Sequence, residues 1–107
     1  NFTAAKLRWV QENQPDIFAR IHKMMLPGDF IAMKLSGVIN TTASGLSEGT
    51  LWDFKHNRVA TELLNHWGIS PDLIPDVVPS FGVQSVVSDA VAAELGLRKG
   101  VKICYRA

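Results

Sequence analysis

Residues 101–105, Val-Lys-Ile-Cys-Tyr (VKICY), decide the fold class. Val101, Ile103, Cys104 and Tyr105 put apolar side chains on both faces of an extended segment. A strand apolar on both faces belongs in the middle of a sheet covered by helices. The expectation is therefore an α/β chain with this run as a central strand and Cys104 as a buried, inert thiol. Just upstream, "GLRKGVK" has the glycines and lysine of a phosphate loop. It lacks the Gly-Lys-Ser/Thr ending and precedes a strand instead of a helix, so it reads as a turn. Before it, Ser88 is placed to cap "DAVAAEL" as a helix, and Gly96 to end it.

Working back toward the amino terminus, "VQSVV" (83–87) and "TLWDF" (50–54) are short strands, and "PSFG" (79–82) is a turn. With so few strands the sheet is incomplete. "SPDLIP" (70–75) is a short turn of helix, with Ser70 as cap, Pro71 first and Asp72 against the positive helix end. "RVATELLNHW" (58–67) reads as an amphipathic helix carrying Val59, Leu63, Leu64 and Trp67, with Gly68 as its cap. "VINTTASGLSEGT" (38–50) is rich in Ser, Thr and Gly and reads as a loop with at most one helical turn.

Three helices are expected in the first 37 residues. Thr3 is the expected cap of "AAKLRWVQEN", which Pro15 ends because proline lacks an N–H and clashes with the preceding turn. Pro15-Asp16 opens a second helix in which Ile17, Phe18, Ile21 and Met25 recur at helical spacing. Pro27 stops that helix and opens a third, "GDFIAMKLS", closed by Gly37. Met24, Met25 and Met33 are either interhelical packing or an exposed methionine surface of a helical adaptor.

The 107 residues make at most one domain; 47% are hydrophobic and 20% charged, a globular composition. The net charge of +1 comes from scattered Lys and Arg, so no nucleic-acid footprint is expected. A single cysteine excludes an internal disulfide and fits a cytoplasmic location. No apolar run is long enough to span a bilayer and no signal peptide opens the chain, so no membrane partner is expected. The triplets Asn1-Phe2-Thr3 and Asn40-Thr41-Thr42 are accordingly expected to match the glycosylation pattern by coincidence. The "NFT" start and "KICYRA" end look like those of a piece of something longer.

The residues alone assemble no active site. His22, His56 and His66 stand apart, without metal-ligand spacing, and read as surface histidines. Asp16, Asp29, Asp72 and Asp89 each fall in a first helical turn, where capping explains them. Glu48 and Asp53 flank the Ser/Thr/Gly loop and could face a ligand, although solvated surface is the simpler reading.

The first helix adds more. In "FTAAKLRWVQEN", the residues Thr3, Lys6, Leu7, Trp9, Val10, Glu12 and Asn13 fit a signature, and the chain resembles the FGGY carbohydrate kinases. Leu26, Pro27, Asp29, Phe30, Leu35, Ser36 and Gly37 are similar to that family's Leu-Pro-x-Asp-aromatic step and the helix after it, in the form most like the xylulokinases. "SGLSEGTLWDF", "ELLNHWGISPDLIPDVVPS" and "VVSDAVAAELGLRKGVKI" resemble later family stretches, in order along the whole chain.

The resemblance implies a partial ribonuclease H-like (actin-like ATPase) domain, mainly helices with a few short strands. Residues 1–107 would be part of the N-terminal, sugar-binding domain, with the nucleotide-binding domain absent from the chain. The implied activity is ATP-dependent phosphorylation of a sugar, D-xylulose to D-xylulose 5-phosphate, with Mg²⁺ in the full-length protein and neither cofactor bound to this piece. The catalytic base is implied to be an Asp just after Ala107, so no catalytic residue is expected within the chain. Asn1 holds a place near the substrate, where relatives carry Tyr, Phe or Gly. Ala43 or a neighbour stands where relatives have Asp, and Val59 stands near the place of a family Trp. Such changes bear on hydroxyl recognition. A non-catalytic homologue and a standalone interaction module are the alternatives. A truncated sheet with an open apolar edge would favour pairing of chains, a homodimer being one form.

Overall fold

The computed structural model describes residues 2–105. Helix α1 (Thr3–Asn13) starts one residue earlier than expected: Phe2 is its extended cap residue and Thr3 is already helical. No side chain caps it. The helix buries Ala4 and Leu7 and gives way at Gln14, ahead of Pro15.

The second helix is a correction. α2 (Pro15–Phe18) is a single turn, and Met25 lies outside any helix. The backbone amide of Met24 donates to the Leu73 carbonyl at 2.7 Å, and the Lys23 ammonium donates to the Asp72 carbonyl at 2.6 Å. The first satisfies a backbone amide outside any helix, and the second ties the Lys23 side chain to the same distant turn. Ile21 and Met24 still pack against the core from there, so helical spacing is not needed to bury them. Met24, Met25 and Met33 are all half-buried, which disfavours an exposed methionine surface.

α3 (Pro27–Ser36) forms as its sequence dictates. Pro27 opens it, Asp29 caps it by accepting from the Leu26 amide at 3.0 Å, and Gly37 closes it in the left-handed region at φ 77°. The stretch read as a loop is the largest departure. Asn40–Thr42 is strand β1, buried along its whole length, and Ala43–Glu48 is helix α4. Polar side chains hid a core strand because every one of them finds a partner inside. Asn40 Nδ2 donates to the Gln84 carbonyl, Thr41 donates to Asp29, and Thr42 Oγ1 accepts from the Gly45 amide. Burial of Asn40, 4% exposed, also removes its glycosylation triplet from reach in the folded chain.

Strands β2 (Trp52–Asp53) and β3 (Arg58–Val59) form an antiparallel hairpin, so the first two residues of the expected 58–67 helix are strand. Helix α5 (Thr61–His66) follows, and Gly68 adopts φ 64° beyond it. A 3-10 turn (Pro71–Leu73) capped by Ser70 then leads into β4 (Asp76–Val78), which pairs parallel to β1 with Thr41 opposite Val77. That strand has no counterpart in the expectations, because Pro75 and Pro79 bracket it.

β5 (Ser85–Val86) pairs antiparallel with β6 (Lys102–Ile103), and α6 (Asp89–Leu95) lies between them in sequence, capped by Ser88 and ended by Gly96 at φ 67°. β6 is not a central buried strand. Among the described residues it has one neighbour, β5, and only Ile103 and Tyr105 are half-buried while Val101 and Cys104 are exposed. The apolar run therefore presents one face inward and one face out.

The principal core joins Ala4 and Leu7 of α1, Leu46 of α4, Leu51, Leu64 of α5, Ile69 and Ile74. With a radius of gyration of 15.1 Å, the chain is more extended than the roughly 13 Å of a compact domain of this length. No helix among the described residues is long and apolar enough to cross a membrane.

Candidate functional site

A cavity of about 440 Å³ opens where the starts of α1 and α3 meet the β1–α4 turn and the end of β6. That volume is in the range of small-molecule sites. Phe2, Thr3 and Lys6 bound it on one side; Pro27, Gly28 and Asp29 on another; Thr42, Gly45 and Glu48 on a third; Tyr105 completes it. Sequence-distant segments meet there because β1 runs straight into α4, whose first turn is pinned by Thr42. A side chain at Gly45 would stand 3.0 Å from Leu26 Cδ1, so glycine permits that close approach.

Asp29 is the polar centre. It is 3% exposed, and three donors converge on its carboxylate: the Tyr105 hydroxyl on Oδ1 at 2.5 Å, and the Thr41 hydroxyl and Leu26 amide on Oδ2 at 2.9 and 3.0 Å. Charge-assisted bonds of this kind hold a buried carboxylate that would otherwise be costly to desolvate. Burial pushes the Tyr105 phenol pKa above its usual range, and the hydrogen bond to Asp29 and that group's negative charge push the same way. By contrast, the side chains of Lys6 and Glu48 are exposed and have no hydrogen-bond or ion-pair partner among the described residues. The wall thus combines a locked carboxylate–phenol pair with two charges free to meet a polar ligand.

The structure separates the residues flagged from sequence. Glu48 borders the cavity. Asp53 lies on the β2–β3 hairpin, where its Oδ2 meets His56 Nδ1 at 2.6 Å; that hydrogen bond is the main reason its carboxyl sits below the ordinary range. Asp16, Asp72 and Asp89 are exposed in first helical turns, and His22, His56 and His66 are exposed. Cys104, expected buried, is exposed and outside the cavity. Asn1 lies outside the described residues, while Phe2 and Thr3 next to it line the cavity.

Sequence reasoning missed Thr41, Thr42 and Gly45, taken for loop, and Tyr105, taken for strand packing. The repeated β-branched Thr41-Thr42 just before a small-residue helix start is the local signal that was available. Among the described residues no group of three or more His, Cys, Asp or Glu is placed to hold a metal.

The comparisons agree along the whole chain. The model of the FGGY family of carbohydrate kinases, N-terminal domain, matches residues 1–107. The "Xylulose kinase" of Staphylococcus xylosus is 30% identical over 102 residues, 95% of this chain and 21% of that protein. A crystal structure of a "xyloylose kinase" from Brucella ovis superposes with a TM-score of 0.89 at 33% identity, covering 99% of this chain and 22% of the other. The gluconate kinase from Lactobacillus acidophilus, 20% identical, superposes with a TM-score of 0.90, a likeness of fold alone. The chain thus spans about a fifth of the length of the relatives it matches. Its helices and short strands are part of the actin-like α/β domain shared by these sugar kinases. From the first residue of the match to the last, the chain belongs to the FGGY family of carbohydrate kinases.

Proposed function

We propose that the full-length protein is an ATP-dependent sugar kinase of xylulokinase type, converting D-xylulose to D-xylulose 5-phosphate. In this reading residues 1–107 are part of its N-terminal, sugar-binding domain. The observation that carries it is the family match over the whole chain, joined to the xylulose-kinase names of relatives about 30% identical. The cavity supports it: Lys6, Glu48 and Thr3 offer a donor cation, an acceptor carboxylate and a hydroxyl, the groups that bind a polyol through its alternating O–H donors and oxygen acceptors. The family resemblance adds Asn1 as a further candidate for contact with the sugar.

The reaction transfers the γ-phosphoryl group from ATP to a sugar hydroxyl. The hydroxyl oxygen attacks phosphorus, the bond to the ADP oxygen breaks, and a carboxylate takes the hydroxyl proton. That base is the Asp expected just after Ala107. Mg²⁺ bound with ATP supplies charge neutralisation at the phosphates. The residues of this chain contribute binding and orientation instead.

The test is sugar-dependent ADP release by the full-length protein, with D-xylulose beside other ketopentoses, glycerol and gluconate. Turnover preferring D-xylulose is expected; no sugar-dependent release would defeat the reading. The 107-residue chain alone is expected to give no turnover above background, since in this reading the base and the nucleotide site belong to the rest of the full-length protein.

A further inference from the structure

The polar side chains of the cavity divide into those already occupied and those left free. The Tyr105 hydroxyl donates to Asp29, and Thr42 Oγ1 accepts from the Gly45 amide at 3.1 Å and lies 3.0 Å from Ser44 Oγ. Lys6 and Glu48 remain for a ligand, with the Thr3 hydroxyl beside them. Backbone contacts fix where these two stand. The Ala4 amide donates to the Gly49 carbonyl at 3.0 Å, and a Cβ added at Gly49 would lie 3.4 Å from Thr3 Cβ. The start of α1, which carries Lys6, is thereby stitched to the end of α4, which carries Glu48.

Among the described residues, the charged side chains that line the cavity are two carboxylates, Asp29 and Glu48, and one ammonium, Lys6. They do not carry equal weight. Asp29 is 3% exposed, and its donors are a phenol, a hydroxyl and a backbone amide, so no cation among the described residues neutralises it. Water and salt screen a buried charge far less than an exposed one. Lys6, on a flexible four-carbon stem in solvent, is the more easily screened. The helix starts at the cavity add little positive potential. Asp29 itself takes the Leu26 amide at the start of α3, and the Gly49 carbonyl takes the Ala4 amide at the start of α1. The potential that the described residues set up in the cavity is therefore negative, and Glu48 is its solvent-exposed source.

We propose that Glu48 is a specificity-determining residue of this cavity: it accepts an uncharged polyhydroxyl ligand and disfavours one that carries a carboxylate, a sugar acid. This rests on the reading of the cavity as the sugar site. An uncharged sugar offers hydroxyl donors to Glu48 and hydroxyl oxygens to Lys6, so one ligand satisfies both side chains. A sugar acid loses donors at its carboxylate end and brings a further negative charge to a wall that already holds two. It gains only the screened Lys6 in exchange. Like-charge placement of this kind lets a site reject the wrong ligand with little effect on the right one.

The probes are xylitol and D-xylonate, open chains of equal length that end in a CH₂OH or a carboxylate. Binding of each to the full-length protein, without nucleotide, is measured by titration calorimetry, beside sugar-dependent ADP release. Wild type is expected to bind xylitol about fivefold or more tighter than D-xylonate. Glu48→Gln keeps the shape and a hydrogen-bonding amide. It should hold xylitol affinity within about twofold and raise D-xylonate affinity about fivefold. Lys6→Gln should widen the preference by about threefold. Glu94→Gln, an exposed carboxylate of α6 outside the cavity, should leave the preference as in wild type. Added salt should narrow the wild-type preference more than that of Glu48→Gln.

D-xylonate binding as tightly as xylitol in wild type would overturn the proposal, as would a preference that Glu48→Gln leaves unchanged. An equal gain in Glu94→Gln would overturn it too, by making the effect one of overall charge. So would a full-length protein that binds neither probe. These outcomes stand apart from the kinase reading. Turnover of D-xylulose with an unchanged preference in Glu48→Gln would keep that reading and defeat the proposal. Absence of sugar turnover, with the preference narrowed in Glu48→Gln, would keep the charge selection and defeat the kinase reading.

Discussion

At the scale of single residues, the pairing of Tyr105 with Asp29 makes the fold sensitive to alkali. The phenol's pKa is raised in the folded chain from an ordinary value of 10.0, so the folded state holds the proton more tightly than the unfolded state does. Above pH 10.0 the unfolded chain releases that proton first, and stability falls with pH until the folded phenol ionises too. The contribution is fully present below pH 10.0 and is lost above it. Lysines also titrate there, so the informative quantity is a difference. Urea unfolding from about pH 8 to about pH 11 should show wild type losing more stability than Tyr105→Phe, which lacks the ionising group. Parallel curves for the two proteins would refute the link. The same residue shows what local patterning conceals. Tyr105 and Asp29 are 76 positions apart, and period-based reading registers one as strand packing and the other as a helix cap. The cap reading holds and the strand reading does not, since Tyr105 lies just past β6, and neither contains the bond between them.

At the scale of elements, the ends of helices were the legible part. Pro15, Pro27, Gly37 and Gly96 act through their own backbone chemistry and Ser88 through a hydroxyl that accepts from the Val91 amide three residues on, so none needs a distant partner. Gly37 tests this directly, because its φ of 77° is required while nothing lies within 4 Å of the place a Cβ would take. Gly37→Ala should therefore cost only the conformational term, about 1 kcal/mol. Ser88→Ala, which removes the acceptor for the Val91 amide, should cost about 1 kcal/mol as well. Urea unfolding checks both; a neutral Gly37→Ala would mean that the left-handed turn is dispensable. Elements stabilised from elsewhere were not legible. β1 reads as a loop by composition and is a core strand because Asp29, Gln84 and Gly45 satisfy its side chains and those of its neighbours. The stretch after Phe18 reads as helix by spacing and is not helical beyond a turn, because the Met24 amide and the Lys23 ammonium bond instead to the Leu73 and Asp72 carbonyls. The cavity was illegible for the same reason, since its walls are brought together by those long-range bonds.

At the scale of the whole molecule, the described residues form three two-stranded sheets, so every strand has a second edge without a strand partner among them. Large apolar side chains accompany those edges: Val77 of β4 and Val86 of β5 are 40% and 45% exposed, and Phe30 and Ile31 of α3 are 47% and 57% exposed. Open strand edges flanked by apolar surface favour pairing with another chain. The formal charge of +1 supplies little repulsion to oppose it. The 107-residue chain, prepared alone, should therefore self-associate in a concentration-dependent way, read as a rising mass in light scattering behind size-exclusion chromatography. Val86→Lys places a charge on an exposed edge position and should shift the distribution toward monomer without unfolding the chain. If edge pairing is the cause, added salt should leave the association in place or strengthen it, because apolar contact is not screened. A monomer at every concentration would show instead that α3 and the short strands cover their own edges well enough in solution. The chain's extended shape would then be a property of a self-sufficient unit.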